Sequence, residues 1–90
     1  MNTGMWPPEL ETLDQLQGGD LPLILVRRIF NNDERCQQAL LAMLESNEIR
    51  IINGDNVAVP NYGWRTALSF DDRTQDLKVS LLEAGARRIG

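Results

Sequence analysis

The chain has no histidine and only one cysteine among its 90 residues. Without histidine there is no His-based triad, no His metal site and no ordinary general base near neutral pH. With Cys36 alone there is no internal disulfide and no thiolate zinc site, which fits a reducing compartment. Long apolar runs are missing too. The longest, Leu21–Val26, contains Pro22 and falls well short of the ~18 residues of a membrane helix. Met1–Gly4 carry no basic residue and no apolar stretch follows them, so a signal peptide is not expected and the expected location is the cytoplasm. Carboxylate chemistry remains, but no motif supports it, so neither enzymatic activity nor a cofactor or metal is expected.

What is present reads as one ordinary globular domain, 42% hydrophobic and 24% charged. The net charge of −4 is unevenly placed. Glu9, Glu11, Asp14 and Asp20 stand in the first 20 residues without a Lys or Arg, and the rest of the chain is neutral. That balance opposes strong non-specific binding to nucleic acid, which needs a basic footprint. All but one of the basic residues are Arg, the side chain suited to phosphate or carboxylate forks.

Residues 1–7 read as an N-terminal arm. Pro7-Pro8 suits a first helical turn, and Leu10, Leu13 and Leu16 recur at helical spacing, which predicts a first helix over 8–17 stopped by Gly18-Gly19. Asp20 is a candidate N-cap for a second helix whose apolar residues are Leu21, Ile24, Leu25, Ile29 and Phe30, with a strand through Leu21–Val26 as the competing reading. Asn31 and Glu34 have the spacing of a capping box for a third helix over 32–46. Its stripe is Cys36, Leu40, Met43 and Leu44, and Asn47 suits a left-handed cap. A thiol on that stripe is expected to be buried and inert.

Ile49–Ile52 and Val57–Val59 flank Asn53-Gly54, the strongest short-range hairpin signal, with the positive φ expected on Asn and Gly, and Pro60 closes the second arm. Trp64, Thr66, Leu68 and Phe70 alternate with smaller or polar residues, which allows a further strand or an extended cover. Tyr62 and Trp64 are expected to cap the core. Asp71 or Asp72 would cap a last helix with the face Leu77, Leu81 and Ala84, extended by Ile89 and weakened by Gly85.

Three helices followed by a two-stranded hairpin, with a short link between the second and third helices, resemble the winged helix-turn-helix superfamily. The similarity covers about residues 8–60 and rests on Leu21–Phe30, Asn32–Asn47 and the Ile49–Val59 hairpin. It implies an α+β, winged-helix-like domain over 8–60 and a C-terminal extension over 61–90 whose helix packs on the core or on a dimer partner. It also implies a third helix that enters the major groove and a hairpin wing that touches backbone or minor groove. Carried onto this chain, Arg35, Gln37, Gln38 and Leu41 face bases, while Arg27, Arg28 and Arg50 hold phosphates. Leu77, Leu81, Leu82 and Ile89 would form the contact of a homodimer, since an exposed apolar stripe is unusual on a monomer. The expected function is a small DNA-binding transcriptional regulator binding duplex weakly and salt-sensitively. The alternative is a non-catalytic protein–protein interaction module on the same fold.

Overall fold

A computed structural model describes residues 7–71 and 76–89, so most of the expected arm and the proposed Asp72 cap lie outside the described residues. The first element is α1 (Pro8–Leu16), which opens behind Pro7 and turns Thr12, Leu13 and Leu16 inward. The buried Thr12 hydroxyl donates to the Pro8 carbonyl at 2.8 Å, which removes the penalty of placing a polar group in the core. Gly19, at φ 137°, turns the chain after the helix.

Strand and helix then share the segment that sequence periodicity assigned to one helix. Leu21–Pro22 form β1 and Leu23–Phe30 form α2, so Asp20 is no cap and Pro22 occupies the cap position. With the helix starting at residue 23, its buried face is Leu23, Val26 and Phe30. Ile24 and Leu25, expected in the core, are 43% and 39% exposed. Asn31 closes α2 in the left-handed region (φ 53°), where an asparagine sits more easily than most residues.

Asn32 starts α3 (Asp33–Glu45), its side-chain oxygen accepting the Arg35 amide at 2.9 Å. The cap therefore falls one residue later than expected. Position N3 is Arg35, and Glu34 closes no reciprocal box. The inward stripe is Cys36, Leu40, Met43 and Leu44, as its spacing implied, and Asn47 is left-handed at φ 58°.

Strand β2 (Ile49–Ile52) pairs along its whole length with β3 (Lys78–Leu81), Arg50 opposite Ser80 and Ile51 opposite Val79. The other edge of β3 takes β1, which gives an antiparallel sheet of order β1-β3-β2. The expected hairpin survives only in part. Ile52 bridges Ala58 and the Val59 amide donates to the Ile51 carbonyl, but Val57–Val59 form no full strand. Pro60 has no amide to extend that pairing, and β3 supplies the better apolar alternation. In the turn itself the Asn53 side chain accepts from the amides of Asp55 and Val57, and the positive φ falls on Asn56 (62°) rather than on Gly54.

The last third of the chain departs furthest from expectation. Residues 61–70 form neither strand nor extended cover. A 3-10 turn at Asn61–Gly63 leads into the short helix α4 (Trp64–Ala67), which puts Ala67 and Leu68 into the core. Residues 78–81, expected on a helix, form the central strand because Lys-Val-Ser-Leu alternates with period two. The final helix, α5, begins only at Glu83 and ends at Ile89. Ala67, Leu68 and β3 thus complete the core and the sheet. The same change means that Leu77, Leu81, Leu82 and Ile89 do not share one helical face. Leu77, Leu81 and Ile89 pack partly buried against their own core, and the Leu82 amide donates to the Glu48 carbonyl at 2.9 Å. Gly85, expected to weaken the helix, is buried where a β-carbon would meet the Glu48 carbonyl oxygen and lie 2.8 Å from Leu81 Cδ1. The described residues make an α+β domain of five helices and one small antiparallel sheet.

Candidate functional site

The corner between α2 and α3 gathers Arg27, Arg28 and Asp33 around an open cavity of about 420 Å³, with Ile24, Asn31 and Asn32. The two-residue link Asn31–Asn32 sets the distance between the helices, so the end of α2 meets the start of α3. Arg27 uses it fully. Its Nε and Nη2 donate to the two Asp33 carboxylate oxygens at 2.8 Å each, and its guanidinium lies 4.9 Å from the centre of the Phe70 ring. The hydrogen bonds from Arg27 hold the Asp33 carboxyl below the usual carboxylate range, and the same pair raises Arg27. Phe70, left-handed at φ 58°, brings the loop after α4 onto this corner. A phosphate would have to displace a bidentate carboxylate already in place.

Helix α3 has two unlike sides. Cys36, on the inner one, has no exposed surface, and burial pushes its thiol up to about 12, so it is no nucleophile near neutral pH. The outer side presents Glu34, Arg35, Gln38 and Glu45 to solvent, while Asp33 in the first turn faces Arg27. Two carboxylates against one guanidinium leave that face with a net charge of −1. Arg35 is itself engaged, donating to Glu9 Oε1 of α1 at 3.3 Å.

The remaining flank of α3 is covered by the chain's own 61–69 segment. Gln37 Nε2 donates to the Leu68 carbonyl at 2.7 Å, which removes its amide from base recognition. Leu41 is half-buried, while Gln38 is exposed. Between α3 and α4 lie two neighbouring cavities of about 410 and 380 Å³ that share Leu41 and Arg65. Gln38, Leu68 and Ser69 line the first, and Glu45, Asn61, Tyr62 and Trp64 the second. Trp64 caps the core as expected, its indole N–H donating to the Val59 carbonyl at 3.1 Å. Tyr62 does not, being 88% exposed.

Of the residues predicted to meet nucleic acid, Arg27 and Arg28 are brought together. Arg35 turns to α1, Gln37 to Leu68, and Arg50 stands exposed on β2 opposite Ser80. Arg28, Arg50 and Arg65 have no ion pair among the described residues, whereas Arg27, Arg35, Arg87 and Arg88 each have one. Sequence reasoning missed Arg65, Leu68 and Glu45 as neighbours. The signal available was Tyr62, Trp64 and Arg65 within one turn, hidden by the apparent alternation of residues 64–70. Among the described residues no group of three Cys, Asp or Glu side chains is placed to hold a metal ion, and no helix is long and apolar enough to cross a membrane. No protein-family model matches this chain, and neither a curated protein nor a solved structure shows significant similarity to it.

Proposed function

We propose that this chain is a winged-helix module that acts through contact with another protein rather than with DNA. The winged-helix part of the reading is supported by the order of α1, α2 and α3, the two-residue link between α2 and α3, and the antiparallel pair β2–β3 that follows. The observation that carries the functional part is the acidic outer face of α3. A helix that enters the major groove works between two rows of phosphates, where Glu34 and Glu45 outweigh an Arg35 already paired with Glu9. The engagement of Gln37 with Leu68 supports the same reading from hydrogen bonding. The lack of histidine and the burial of the one thiol are in keeping with non-catalytic contact.

A DNA-binding regulator is the second reading, favoured by the exposed Arg28 and Arg50, neither of which has an ion pair among the described residues. The two readings separate in a gel shift with random duplex at ~50 mM salt, where the phosphate contribution is strong. The protein-contact reading expects no retention. Retention that weakens with salt and is lost in Arg28→Ala/Arg50→Ala would establish the regulator instead.

A further inference from the structure

Resting on the protein-contact reading, we propose that the groove between α3 and α4 receives an extended segment of a partner protein. That segment sets an acidic side chain on Arg65 and an aliphatic one beside it, over the half-buried Leu41. Continuity is the first argument. Leu41 and Arg65 line both cavities, so these form one trough along the helix pair and not two separate dimples. Charge is the second. Among the described residues Arg65 is the only charged side chain in the cavity that ends at Ser69, and it has no carboxylate partner there, whereas Arg27, Arg35, Arg87 and Arg88 each have one. An unpaired guanidinium beside apolar walls selects a carboxylate, which it binds through two parallel hydrogen bonds.

Composition is the third argument. Protein interfaces draw their strongest contacts from Trp, Tyr and Arg, and Tyr62, Trp64 and Arg65 meet here within four residues. The exposed Tyr62 ring is a ready wall for an incoming chain, whereas the indole of Trp64 is held rigid by Val59. Glu45, at the Tyr62 end, sets direction. The acidic residue of the partner lies toward Ser69 and away from Glu45, because like charges repel. The exposed amide of Gln38 is available to the backbone of the bound segment, since only its neighbour Gln37 is committed to Leu68.

The test is selection from a random peptide library displayed on phage against the full chain, followed by titration of labelled winners. Enriched peptides should carry Asp or Glu next to Leu, Ile or Val. Their affinity should fall about tenfold or more on Arg65→Glu, the loss of roughly one charge-assisted contact. A peptide with Lys replacing its acidic residue should regain binding to that variant. Arg65 is exposed, so an unchanged thermal melt shows that the variant is folded. The inference is overturned if no peptide is enriched, if winners lack an acidic residue, or if they bind Arg65→Glu equally well. Winners that shift the amides of Ile24–Arg28 in NMR spectra would relocate the site while leaving the protein-contact reading intact. Self-association lost in Arg65→Glu would make a second copy the occupant and overturn the partner assignment. Retention of duplex DNA would instead defeat the underlying reading.

Discussion

Helix α3 is two molecules in one, and its sides obey different physics. On the inner side Cys36, Leu40, Met43 and Leu44 are withdrawn from water and held by close packing, where each lost methylene leaves a void. Around its exposed side several polar groups have found partners within the chain. Asp33 holds Arg27, Arg35 reaches Glu9, and Gln37 reaches Leu68. The comparison teaches that exposure does not equal availability. A side chain in water but already paired has little left to offer a ligand, whereas Gln38 and Arg65, two that are not paired among the described residues, lie along one groove.

Substitutions can break that contrast. The largest effect belongs to Leu40→Ala, expected to cost about 2–5 kcal/mol in chemical denaturation, while Gln38→Ala should stay within about 0.5 kcal/mol. Equal losses would show that the two sides are not distinct. Next comes Cys36. Its thiol is raised from 9.0 to about 12 by burial, so the neutral form is favoured on folding. The resulting stability is intact below pH 9 and is lost as pH rises from 9 toward 12, where the unfolded thiol ionises and the folded one does not. Cys36→Ala should remove that part of the alkaline decline, and native Cys36 should react with thiol reagents only as fast as the chain opens. Rapid stoichiometric labelling would contradict its burial.

Gln37→Ala is expected to cost about 1 kcal/mol, because it leaves the Leu68 carbonyl without its donor. Hydrogen exchange should quicken around α4 more than around β3. Uniform change would mean that the amide does not hold the α4 segment in place. The smallest effect is Asp33→Asn. Its lowered folded value makes the Arg27 pair stabilising above the ordinary carboxylate range and ineffective as pH falls through that value. Acid melts of the wild type should therefore converge on those of the variant. Divergence at low pH would assign Asp33 a role beyond its ion pair.

Legibility followed the range of the forces involved. The stripe Cys36–Leu40–Met43–Leu44 could be read because a helix of this length repeats its period several times and ends at residues with capping chemistry. Leu21–Pro22 could not, since two residues carry no period and become a strand only by lying beside Val79. The same holds for Lys78–Leu81, whose apolar residues fit a helical face equally well until β1 and β2 flank them. Arg27, Arg28 and Arg35 were visible as a cluster of charge, but their engagement was not. Glu9 reaches Arg35 across α1 and α3, and Phe70 reaches Arg27 from beyond α4, contacts with no local signature. Gly85 read as a weak helix former because the Glu48 carbonyl that demands it stands far away in sequence.

The sheet order has a consequence in time. β1 and β2 never touch each other as strands, and the strand that joins them, β3, is the last of the three to be made. During synthesis, α1, α2 and α3 can collapse on one another as soon as they emerge, since their contacts are local. Both outer strands must nevertheless wait with unpaired edges until residues 78–81 arrive and slot between them. Helical collapse and sheet closure are thus separate events in the life of a nascent chain, and the interval between them is when this small protein is most open to mispairing or to a chaperone.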